Sequence, residues 1–163
     1  MTLAATQKML WATGASSPTI LPANYWTVGK TVRLTAFLKI TTGTAGNWIV
    51  GMAYGAADAP AANVVSRTFA KIASVGPFSG FIQGYARCRS TGTAGTLSMM
   101  GMFYPSLDVV LSTVQPITFP NNGTTVVSTI DTTVGTNALS FQASNSAGTD
   151  SVVATEIIME AMN

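Results

Sequence analysis

Two acids, four bases and a missing residue type set the chemistry open to this chain. Glu156 and Glu160 stand four residues apart near the C-terminal end, and the chain contains no histidine and one cysteine, Cys88. Without histidine, zinc sites and Ser-His-Asp or Cys-His nucleophiles lack their usual parts. A two-carboxylate glycosidase needs only a pair of acids. On an extended strand Glu156 and Glu160 would lie about 13 Å apart at about 3.3 Å per residue, which is long for such a pair. The remaining acids are scattered and do not form the clustered pattern a calcium loop uses. No phosphate-cradling, nucleotide-binding or nucleophile-elbow motif occurs. The expectation is a non-enzymatic protein with no cofactor and no metal.

The bases are more telling. Arg33 and Lys39 fall on one phase of a strand pattern, and Arg87 and Arg89 on one phase of another. If the two strands are neighbours, these residues make a basic stripe. It would serve as a solvated strand face that resists edge pairing or as a contact for an acidic protein surface. Nucleic acid ranks behind both, because the bases are few and are offset by acids. Residues 1–89 carry all eight Lys and Arg and one acid, a net +7, whereas residues 90–163 carry five acids and no base, a net −5. The two signs can neutralise each other within one domain or meet across subunits.

The elements that must position these residues are strands. Thr31–Thr41 alternates, with Val32, Leu34, Ala36, Leu38 and Ile40 on one face and Arg33, Thr35, Phe37 and Lys39 on the other. Phe81–Ser90 does the same, setting Ile82, Gly84, Ala86 and Cys88 against Gln83, Tyr85, Arg87 and Arg89. Period 2 marks half-buried strands. After each comes the pentapeptide TGTAG, at Thr42–Gly46 and Thr91–Gly95, and then a further apolar run. Both copies read as short hairpin connections, with glycines free to take positive φ. Further strands are expected near 7–13, 47–54, 65–72, 96–104, 108–114, 124–130, 137–144 and 151–162. An Asn-Gly turn is expected at Asn122. In the last strand Val153, Thr155, Ile157 and Met159 alternate with Val152, Ala154, Glu156, Ile158 and Glu160. Cys88 reads as a small buried hydrophobe.

The chain of 163 residues suits one domain, 1–163, with residues 1–20 as an N-terminal docking arm. Eight to ten strands with closely spaced turns predict an all-β antiparallel sandwich, with the jelly roll as leading architecture. Hydrophobic residues make up 47% and charged residues 9%, against about 25% charged in ordinary globular chains. Much of the surface must then be neutral polar or covered by another protein. No apolar run reaches the roughly 20 residues that span a bilayer, and no signal peptide is expected. Tyr25 and Trp26 sit in a connector between strands, where aromatics can anchor an interface.

At Leu21–Thr44 the sequence LPANYWTVGKTVRLTAFLKITTGT resembles the small jelly-roll virion proteins of tailed bacteriophages, including capsid decoration (cement) proteins. The resemblance rests on Pro22, Ala23, Asn24, Tyr25, Gly29, Lys30, Thr31, Arg33 and Thr41–Thr44. It recurs at Ala86–Leu97 and more weakly in the ending ATEIIMEAMN. It departs across AYGAADAPAANVVSRTF. The resemblance implies a homotrimeric, non-enzymatic module made in the bacterial cytoplasm and placed on the capsid exterior. Its partners would be the major capsid protein and copies of itself, with neither nucleic acid nor membrane. Arg33, Lys39, Arg87, Arg89, Tyr25, Trp26, Glu156 and Glu160 are the expected capsid or subunit contacts. The alternative is an adhesion or carbohydrate-binding jelly roll on a tail or head fibre, with Trp48 or Tyr54 stacking on the sugar.

Overall fold

The computed structural model describes residues 8–9, 20–43, 45–56, 64–71, 76–106, 116–120, 125–145 and 150–162. Strands are the only helical or extended elements among them: β1 (Lys8–Met9), β2 (Thr31–Thr41), β3 (Gly46–Ala56), β4 (Val64–Lys71), β5 (Phe78–Ser90), β6 (Gly95–Pro105), β7 (Ile117–Phe119), β8 (Val126–Ile130), β9 (Asn137–Asn145) and β10 (Ser151–Met162). They form two antiparallel sheets. The smaller has four strands in the order β1-β9-β3-β4, and the larger has six. Its order is β10-β2-β5-β6, with β8 and β7 lying one after the other along the free side of β6. The chain is an all-β sandwich. The strands expected near 108–114 and the turn at Asn122 lie outside the described residues.

Alternation in β2 has the cause the sequence suggests. Val32, Leu34, Ala36, Leu38 and Ile40 are buried between the sheets, and the intervening residues face outward. Ile82, Ala86 and Cys88 of β5 and Leu97, Met99 and Phe103 of β6 continue that core. From the smaller sheet come Trp48, Val50, Met52, Tyr54, Phe69, Leu139 and Phe141. Trp48 and Phe69 meet Phe103 of the opposite sheet at ring-centroid distances of 6.3 and 6.1 Å, so aromatic contacts join the two layers. Close approach depends on glycine at two facing positions. Gly84 and Gly101 pair across β5 and β6. A Cβ on Gly84 would strike the Met52 thioether, and one on Gly101 would strike the Phe119 ring.

The two TGTAG copies do different work. Thr91–Gly95 joins the paired strands β5 and β6 and is a hairpin turn, with Gly92 at φ +109°. Thr132 clamps it, its Oγ1 accepting from the Gly92 N–H at 2.8 Å. The first copy is not a hairpin, because β2 and β3 belong to different sheets. It carries the chain across the sandwich, with Thr42 buried and the Gly43 N–H donating to Asp150 Oδ1 at 2.7 Å. A pentapeptide that tolerates several turn geometries leaves the outcome to the strands' partners.

A second correction concerns β10. Ala154 pairs with Leu38 and Glu156 with Phe37, leaving Thr155 as an extra residue whose hydroxyl donates to the Phe37 carbonyl at 3.1 Å. This bulge flips the phase. Val152 and Ala154 face the core before it, and Ile157 and Met159 pack on the core after it. Strict alternation had placed those two pairs on opposite faces. The N-terminal arm is also modified where it is described: Lys8–Met9 pairs with β9, and Ile20 bridges Ala138.

Gly101→Ala tests the close approach. The new methyl would also lie 2.5 Å from the Gln83 carbonyl oxygen, which is backbone and cannot swing away. Urea denaturation should show a loss of about 1–3 kcal/mol, in the range of overpacked cores.

Candidate interaction surface

Directly paired residues of an antiparallel sheet project from the same face, so the register reads out the outer surface of the larger sheet. Across it run Met162–Thr31–Arg87–Ser98, then Glu160–Arg33–Tyr85–Met100, then Ile158–Thr35–Gln83–Met102, then Glu156–Phe37–Phe81–Tyr104. The fourth row is the most apolar. Phe81 and Tyr104 stack with centroids 4.5 Å apart and planes 13° from parallel. Phe37 beside them is 43% exposed, and a hollow of about 330 Å³ opens between Phe37, Phe81, Tyr104 and Pro105. Met100 is 51% exposed, and Ile158, Met162 and Val126 are also open to solvent. Polar links cross the middle of the face, with Gln83 Nε2 donating to Thr35 Oγ1 at 3.2 Å.

Charge lies around this apolar field. The strands β2 and β5 are neighbours, as a basic stripe requires, yet the bases do not form one. Arg33 is paired with Glu160: its Nε and Nη2 lie 2.8 and 2.7 Å from Oε2. That carboxylate holds the guanidinium further above its ordinary pKa. Both partners are solvated, so the pair serves to fix β10 against β2 and adds little stability. Lys39 is exposed on the same strand, six residues away and about 20 Å distant at about 3.3 Å per residue. Arg87 and Arg89 come together at the opposite end. They line a cleft of about 260 Å³ with Val28 and Gly29, whose turn is tied to β5 by the Gly29 N–H donating to Cys88 O at 2.9 Å. Glu156 and Glu160 both project from β10 on this face, and Glu160 is engaged by Arg33.

The connector aromatics separate. Tyr25 is half-buried beneath Lys30, whose Nζ sits 3.5 Å from the ring centroid and donates to the Tyr25 carbonyl at 2.9 Å. Trp26 is 3% exposed and packs edge-on against Tyr54 at 6.1 Å. It is therefore a core residue and not a surface anchor. Trp48 and Tyr54 are buried too, so neither can stack on a sugar. Cys88 is buried as expected, and burial pushes its thiol up.

The apolar surface residues Phe37, Phe81, Tyr104 and Met100 were not singled out by the sequence. A signal existed in Phe37, an aromatic on the polar phase of β2. What joins it to Phe81 and Tyr104 is the strand order, which no local pattern states. Among the described residues no three His, Cys, Asp or Glu side chains gather as a metal would need, and no helix is long and apolar enough to cross a membrane. Comparison with family models, curated proteins and solved structures finds no match.

Two predictions separate core from surface. Trp26→Ala should cost about 3–5 kcal/mol in chemical denaturation, as for other buried aromatics. A surface anchor would leave stability nearly unchanged. Burial also raises the Tyr54 phenol above its ordinary value of 10.0. In the unfolded chain the phenol ionises first, so the unfolded state binds fewer protons above about pH 10. Stability should fall as pH climbs past that point, and Tyr54→Phe should flatten the slope in alkaline melting curves.

Proposed function

We propose that this protein is a non-enzymatic virion module that docks on the outside of a bacteriophage capsid and stabilises the shell, acting as a homotrimer. One observation carries the assembly reading: the outer face of the larger sheet exposes an aromatic field of Phe37, Phe81 and Tyr104, with the charged Glu156 and Lys39 beside it. An aromatic patch flanked by polar and charged groups is the anatomy of a protein contact. A chain with so little charge also has few other means of keeping such a face in water. The capsid as target rests on the resemblance of Leu21–Thr44 and Ala86–Leu97 to decoration proteins. The major capsid protein is then the partner, met through the Phe37–Phe81–Tyr104 field and steered by Arg87, Arg89 and Lys39.

The connectivity supports the jelly-roll form. The chain changes sheet between β1 and β2, β2 and β3, β4 and β5, β8 and β9, and β9 and β10. The late strand β9 returns beside β1 and β3, and β10 returns beside β2. Such interleaving of early and late strands across two sheets is a feature that jelly rolls share. Here β6, β7 and β8 extend the larger sheet beyond β5.

A module that binds the assembled shell and not its separated subunits raises the free energy needed to open it. The test is titration of the protein onto capsids lacking it, at low and high salt, reading copies bound. Saturation at a fixed copy number, with affinity weakened by salt, is expected. Phe37→Asp should lower affinity by at least tenfold, in the range of a central contact residue. Failure of the native chain to bind the shell overturns the capsid reading, and screening against host-surface glycans then follows.

A further inference from the structure

The chain buries a lysine and an aspartate against each other at the end of the sandwich where β2 leaves for β3. Lys71 closes β4, and Asp150 immediately precedes β10. Lys71 Nζ lies 3.1 Å from Asp150 Oδ2, and neither side chain has any solvent exposure. Asp150 Oδ1 accepts the Gly43 N–H at 2.7 Å, while Oδ2 accepts the indole N–H of Trp48. Trp48 in turn packs on Phe69 and Phe103 with centroids 6.1 and 6.3 Å away. An amine thus touches a carboxyl group inside an aromatic wall. Burying two full charges carries a large desolvation cost, which their attraction offsets only in part.

We propose that Lys71 and Asp150 condense to an amide, making a covalent tie between the two sheets. One proton passes from the Lys71 ammonium to Oδ2, leaving a neutral amine and a carboxylic acid. The Nζ lone pair attacks Cγ, and a tetrahedral oxyanion forms on Oδ1, where the Gly43 N–H already donates. Such a donor, fixed in a dry site, favours the charge that develops there. The Cγ–Oδ2 bond then breaks, and Oδ2 leaves as water with the proton it received and one from Nζ. One N–C bond forms, one C–O bond breaks, and no oxidant or external reagent enters. Loss of one positive and one negative charge leaves the net charge unchanged. Contact between the reacting groups replaces an encounter in solution, and exclusion of water favours condensation over hydrolysis.

The tie would close the chain from 71 to 150 into a loop and hold β10 to the smaller sheet. Long closed loops restrict the unfolded chain most, by the argument used for disulfides. The role extends beyond shell binding and does not depend on it.

Intact-mass spectrometry of the full chain in denaturant provides the test. The native protein should be one water molecule lighter than its sequence, and protease digestion should give a branched peptide joining Lys71 to Asp150. Lys71→Ala and Asp150→Ala should each restore the full sequence mass, a reading that needs neither variant to be folded. Full mass in the native chain would overturn the proposal and leave an ordinary buried ion pair. A chain lighter by ammonia, with the branch at the buried Asn145, which pairs with Trp48 across β9 and β3, would overturn it as well.

Discussion

Apolar side chains on both faces of one sheet are the constraint from which the rest follows. The inner face of β2, β5 and β6 buries Leu34, Ile82 and Phe103 against the smaller sheet, while the outer face presents Phe37, Phe81 and Met100. The first set drives folding at roughly 25 cal/mol per Å² removed from water. No further layer among the described residues covers the second set. An antiparallel sheet usually resolves this by making its outer residues polar. This one carries Arg33, Thr35 and Gln83 across its middle rows and gathers its aromatics in the row of Phe37, Phe81 and Tyr104.

That arrangement accounts for the sparse charge. Eight bases and six acids in 163 residues are enough to frame a face but not to cover one. The pairing of Arg33 with Glu160 uses one of each to fix the C-terminal strand in register. Arg87 and Arg89 stay available beside a cleft at the end of β5. A partner approaching this face would meet basic groups at its edges before the aromatic field becomes dry. Such an order favours steering first and tight packing second.

Strand identity was legible wherever alternation was strict. Thr31–Thr41 was correctly read to the residue, with Val32 through Ile40 inward, because a one-residue slip would have exposed the whole apolar set. The last strand is read with its bounds, 151–162, but its facing only to Ala154, since Thr155 adds a residue that the pattern cannot distinguish from ordinary alternation. The two TGTAG copies look alike and differ in function, because their geometry is set by whether the flanking strands pair. Trp26 read as a loop aromatic, and lies in the core because its connector folds back over the sandwich toward Tyr54. Lys71 and Asp150 were invisible as a pair. Their contact depends on Gly43 and Trp48, which arrive from other parts of the chain, and no local spacing announces it. In the same way, Phe37 carried a signal but its neighbours did not. A surface patch is a property of strand order, which single-strand periodicity does not encode.

The measurement that bears most directly on the central claim is hydroxyl-radical footprinting of the protein free and bound to capsids. Met100 and Phe37 should be labelled readily in the free chain and protected on the particle, while Val28 at the far edge changes less. Equal labelling of Met100 and Phe37 in both states would contradict the account, because the outer face of the larger sheet would then remain in water when the protein does its work.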